Sequence, residues 1–199
     1  MRAMLAVLII VPIGGPSVLE AQLDYTARLG VTWAMPLVRD DIIEEIEVQQ
    51  KLAPTLAFGA SLPFSPGYQA GLEVTLTSSG YEASETSGST DLGTVSTGSI
   101  TLGLNGRVSG DLYWRAGVGL LGYFPKDERG IFLQGGTTRF LAGAGIDYRR
   151  PAFSKLDLMA SLRYDFHRFT TDELESRGFS QSQGVQRISA SVGIARGSR

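Results

Sequence analysis

Asp165 and His167 stand two residues apart, the spacing that puts a carboxylate and an imidazole on one face of a strand. A carboxylate so placed can orient an imidazole for general-base hydrolysis. The motif is short, and its plainer reading is a buried histidine satisfied by its own carboxylate. A second group is the acidic run at 39–47, which carries Asp40, Asp41, Glu44, Glu45 and Glu47. Carboxylate oxygens suit a divalent cation or a basic partner, although most such runs are solvated loops whose like charges repel. The chain has no cysteine and one histidine, so thiolate and histidine-cluster metal sites are excluded. No catalytic or metal residue and no cofactor is assigned on this basis. The third group is larger: Arg28, Glu73, Arg115, Asp147, Asp157, Arg163, Asp165, His167 and Arg187. These charges matter because of the elements that carry them.

Those elements are segments of alternating character. Residues 25–34, 52–62, 68–77, 94–104, 112–124, 139–149, 156–167 and 186–195 each set large apolar side chains against small or polar ones with a period of two. In 25–34, for example, Tyr25, Leu29, Val31 and Trp33 oppose Thr26, Arg28, Gly30 and Thr32. That is the pattern of a barrel wall in lipid, apolar outward and small or polar inward over about ten residues. Glycine, at 25 of 199 residues, runs at about twice average usage. Its excess falls on the inward face, where a narrow barrel needs small side chains. A soluble barrel of the lipocalin kind would instead keep its bulky apolar residues inside and show lysine and glutamate outside. The expected fold is therefore all-β, an eight-stranded antiparallel transmembrane up-and-down β-barrel. Closure is required, since lipid cannot satisfy a free sheet edge. Pro54 argues against its strand unless it lies near the rim, because it removes a ladder bond.

Residues 1–21 read as a signal peptide, with Arg2 ahead of an apolar stretch too short to span a bilayer as a helix, and 22–199 as the barrel domain. The connections alternate short (63–67, 105–110, 150–153) and long (35–50, 78–93, 125–138, 169–185). Short turns belong to the periplasm and long loops to the outside. The loop at 78–93, rich in Ser, Thr and Gly, is expected to be mobile. This polarity places Tyr25, Phe64, Tyr68, Trp114 and Tyr148 near the periplasmic rim and Trp33, Phe124, Phe140 and Phe166 near the outer one, as two aromatic girdles. The inward charges listed above are expected to pair into a network that plugs the lumen, because unpaired charges there are costly. A net charge of −2 with no basic patch gives no ground for nucleic-acid binding.

The segments GLEVTLTSSGY at 71–81, YWRAGVGLLGYF at 113–124, LAGAGIDYR at 141–149 and LRYDFHRF at 162–169 resemble the small outer-membrane barrel family of opacity and OmpX-like proteins and the OmpA barrel domain. The likeness is one of pattern and spans nearly all of 22–199. It implies a monomer inserted by the barrel assembly machinery into the outer membrane of a Gram-negative type bacterium, in contact with its lipid. Family members usually end on an aromatic residue, whereas this chain ends Ala195-Arg196-Gly197-Ser198-Arg199. Outer-membrane proteases resemble the chain only in the Asp-x-His pair and use ten strands. The expected function is structural or surface-interacting, through an extracellular ligand or surface partner at the outer loops. A narrow ion channel is the alternative, and a hydrolase using Asp165 and His167 the more distant one.

Overall fold

A computed structural model describes residues 23–40, 46–85, 88–153, 156–176 and 182–196. The proposed signal peptide lies outside the described residues. Ten strands follow in chain order: β1 (Asp24–Ala34), β2 (Val38–Asp40), β3 (Ile46–Gln50), β4 (Ala53–Ser65), β5 (Tyr68–Glu85), β6 (Gly88–Ser109), β7 (Leu112–Pro125), β8 (Thr138–Phe153), β9 (Leu156–Phe169) and β10 (Gln183–Arg196). A 3-10 turn, Gly130–Phe132, and a short helix α1, Asp172–Ser176, complete the described elements.

Eight of the strands close into a ring, all antiparallel. β1 pairs with β4 on one side and with β10 on the other, and β5 pairs with β6 to complete the circuit. The eight strands are those the alternation predicts, extended at several ends. Large apolar side chains cover the outside of the wall: Leu102, Leu29 and Val192 are each roughly two-thirds exposed. A wall with this surface and no free edge is a transmembrane barrel. An Arg at Leu102 would project into lipid, and Leu102→Arg is expected to cost about 2–4 kcal/mol. Urea unfolding in lipid vesicles measures that cost, and a cost near zero would place Leu102 in water.

Eight strands leave an interior just wide enough for side chains, and two glycines show how tightly it is filled. A Cβ at Gly143 would collide with the Asp165 carboxylate. Gly93 has φ +80° and stands at a register shift, where Leu92 is the extra residue between Tyr81↔Gly93 and Glu82↔Asp91. Such a bulge re-aims a side chain, and here it turns Leu92 into the interior, 3% exposed.

The described residues of the 78–93 segment, 78–85 and 88–93, are strand and not loop. They form the outer halves of β5 and β6, paired as far as Glu85↔Gly88, with β3 added along β5 from Gln50↔Tyr81 to Ile46↔Glu85 and β2 beyond it. Composition suggested a loop, but Tyr81 and Ala83 keep the period of two and Thr and Tyr suit strands. Likewise 150–153 continues β8 instead of turning. Pro54, second in β4 and opposite Val31, stands at the outer end of its strand.

At the outer rim the pattern inverts. Within the membrane the large side chains point out, while above it Tyr81, Leu92, Val95, Tyr123, Phe169 and Val185 point in and are buried. Water has replaced lipid outside, so the apolar side chains leave the surface. Leu37, Val48, Ile131, Phe132 and Leu174 join them from the connecting segments and form a core capping the barrel. Thr171 Oγ1 accepts the Leu174 N–H at 3.2 Å and starts the helix that delivers Leu174.

Candidate functional site

The lumen is built in three levels. In the membrane midsection, Glu73 on β5 is the hub. Its Oε2 receives Arg28 from β1 and Arg115 from β7, and its Oε1 receives Arg163 from β9. Arg163 Nε also donates to Asp165 Oδ1 at 2.6 Å. Asp147 on β8 is the second hub: Arg115 Nη1 lies at 3.7 Å, Arg149 Nη2 at 3.9 Å and Arg28 Nη1 at 4.0 Å. Ser161 donates to Asp147 at 2.5 Å and accepts from Arg28 at 3.1 Å, tying the two hubs together. A cavity of about 60 Å³ remains between Thr26, Glu73, Arg115, Arg149 and Arg163, room for about two waters.

Above the ion pairs lies a hydroxyl belt. Thr32 bonds Thr55 at 2.6 Å and Ser189 at 2.7 Å, and Thr77 bonds Thr97 at 2.5 Å. Arg187 crosses to this belt, with Nη2 at 3.4 Å from Thr77 Oγ1 and 3.3 Å from Thr97 Oγ1.

The third level is aromatic. The Tyr123 ring meets Phe169 edge-on at 5.0 Å between centroids, and Phe132 packs edge-on against Tyr81 at 6.2 Å and Phe169 at 6.1 Å. Tyr123 Oη and His167 Nε2 share a hydrogen bond of 2.7 Å. All these rings are buried to within 1%.

Of the nine inward charged or ionisable residues that the sequence singles out, Arg28, Glu73, Arg115, Asp147, Arg163 and Asp165 come together. Arg149, inward by parity, joins them through Asp147. Asp157 sits at the start of β9, opposite Ala195 and Pro151. Two expectations are corrected. His167 is not bonded to Asp165: the carboxylate accepts from Arg163, two residues before it on the same face of β9, and the imidazole bonds Tyr123 on β7. The orienting contact of a carboxylate–imidazole dyad is therefore not formed, and His167 is 1% exposed. Arg187 meets hydroxyls in place of a carboxylate, because the acid beside it in the ladder, Asp165, is held by Arg163.

Around the wall, Tyr25, Trp33, Phe64, Tyr68, Phe124, Phe140, Tyr148 and Phe166 are exposed. Trp114 is half-buried against Tyr68, 6.4 Å between ring centroids. In the acidic run, Asp41, Glu44 and Glu45 lie outside the described residues. Asp40 and Glu47 belong to strands β2 and β3, with Asp40 opposite Ile46 and Glu47 opposite Arg39 and Ser84. A loop reading of those two positions is corrected accordingly, since pairing to β5 extends the sheet above the membrane.

The aromatic cap escaped the sequence reading. Its signal was present in the large inward residues at the outer strand ends, Leu121, Tyr123, Leu141 and Phe169, where an inward position should be small.

No protein-family model and no curated protein sequence matches the chain. Solved structures do. Neisserial surface protein A aligns over 88% of this chain and 96% of its own, with a TM-score of 0.55 and 11% identity. The outer membrane protein AlkL, determined in DMPC bilayers, aligns over 88% and 90% with a TM-score of 0.55 and 15% identity. At these identities the likeness is one of fold. Ring closure, an apolar exterior and these two neighbours together give the chain the fold of the small eight-stranded outer-membrane β-barrels.

Proposed function

We propose that this protein is a closed outer-membrane barrel that works through its ordered extracellular end, in a structural or surface-interaction role. The observation that carries the reading is that the lumen is filled twice, by the Glu73 and Asp147 ion pairs and by the aromatic cap. The extension of β5 and β6, with β2 and β3 beside it, then presents a strand-paired outer surface to a ligand or surface partner. Likeness to a protein named for its surface location supports the same orientation. Export by the signal peptide at 1–21, insertion by the barrel assembly machinery, lipid contact between the aromatic girdles and a monomeric state belong to this proposal. We assign His167 no hydrolytic role, since its Nε2 is bonded to Tyr123 and the ring is buried away from any substrate.

A narrow ion path is the second reading, favoured by the cavity beside Arg115 and Arg149. Planar-bilayer recording separates the two. The closed barrel is expected to give no steady unitary conductance. Steady channels in the unaltered protein that persist in Arg115→Ala would overturn it.

A further inference from the structure

Between the ion pairs and the cap, four buried side chains are left with unsatisfied polar atoms. They are Arg187 Nε, Tyr81 Oη, His167 Nδ1 and both amide atoms of Gln50. Their residues are 6%, 0%, 1% and 2% exposed. Gln50 and Tyr81 are ladder partners, Arg187 reaches Thr77 four residues before Tyr81 on β5, and His167 is the next inward residue on β9 after Asp165, the ladder partner of Arg187. Buried polar atoms almost always have a partner, so a cluster of this kind points to an occupant.

The charge balance says which sort. Around the inner lumen five guanidiniums, of Arg28, Arg115, Arg149, Arg163 and Arg187, face three carboxylates, of Glu73, Asp147 and Asp165. Those three acids are engaged by the other four arginines, and Asp165, the ladder neighbour of Arg187, has Oδ1 on Arg163 Nε. Asp157 is eight residues further down β9 than Asp165, roughly 26 Å along the strand, and Asp24 lies at the far end of β1. The cation at Arg187 thus has no anion of its own among the described residues. Water would satisfy its hydrogen bond but leave a buried charge uncompensated, which is the costlier defect. The groups around it are largely donors or hydroxyls: the guanidinium, Tyr81 Oη, Thr77 and Thr97.

We propose that the lumen around Arg187, below the aromatic cap, binds a small monovalent anion of halide size, held by Arg187 and Tyr81 with the Thr77 and Thr97 hydroxyls beside it. The site is independent of the ion-pair hubs and of any surface role.

Bromide is the probe. The full chain, refolded in detergent, is heated in sodium bromide or sodium gluconate at equal ionic strength, and the loss of the folded gel band is followed. Bromide is expected to raise the unfolding temperature by several degrees and to saturate. Arg187→Gln is expected to lose that dependence, and Tyr81→Phe, which keeps the ring, to need severalfold more bromide. Crystals grown in bromide should show an anomalous peak beside the Arg187 guanidinium. Equal unfolding temperatures in the two salts, bromide dependence that survives Arg187→Gln, or water alone at that position would overturn the site. If Arg187→Gln does not refold, Tyr81→Phe and the anomalous peak decide the matter.

Discussion

Replacing Glu73 with alanine is expected to cost the barrel about 3–5 kcal/mol, the scale for removing one partner of a buried ion pair. Glu73 accepts from three arginines on three different strands, β1, β7 and β9. Its removal leaves Arg28, Arg115 and Arg163 facing one another, with Asp147 and Asp165 as the remaining counter-charges nearby. Urea unfolding in vesicles, read by the heat-modifiable gel band, gives the cost. Glu73→Gln keeps the shape and loses the charge, so it should recover only a small part of the stability. A glutamine variant as stable as the unaltered protein would show that packing, and not charge, makes Glu73 the hub.

Phe132→Ala is expected to cost a similar amount, about 3–5 kcal/mol, but in a different part of the molecule. Phe132 is fully buried and touches Tyr81, Tyr123 and Phe169. It comes from the 3-10 turn between β7 and β8, above the membrane wall, so its loss should loosen the cap while the strands below stay paired. Limited proteolysis of the refolded protein would then cut within 126–137 and along the outer halves of β5 and β6. The membrane-embedded remainder would stay protected and heat-modifiable. Unchanged resistance to protease would mean that the cap is held by its strands and not by its core. Global unfolding would mean that cap and wall form one cooperative unit.

The two substitutions probe features of very different legibility. The inward charges are plain in the sequence because alternation is local: a strand sends neighbouring side chains to opposite faces, and Arg28, Glu73, Arg115 and Arg163 each interrupt a run of small inward residues. The cap is hidden by the same rule. Small-inward and large-outward is a consequence of lipid outside and a narrow lumen within, and β5 to β10 outlast the bilayer. Once water lies outside, Tyr81, Leu92, Tyr123 and Phe169 reverse the preference. A composition rich in Ser, Thr and Gly made 78–93 look like a loop, when its unpaired backbone had β3 and β6 to bond.

By itself the sequence determined the fold class, the eight strands of the ring and the face on which the residues of those predicted strands lie, all of which follow from a period of two. Only the tertiary structure decided which charges meet. Arg28 and Ser161 are separated by 133 residues and Arg163 and Glu73 by 90, and partners across a lumen depend on the register and stagger of every strand between them. The same geometry gave Asp165 to Arg163, His167 to Tyr123 and left Arg187 among hydroxyls, because parity names the face of a residue and not its height or its partner across the barrel.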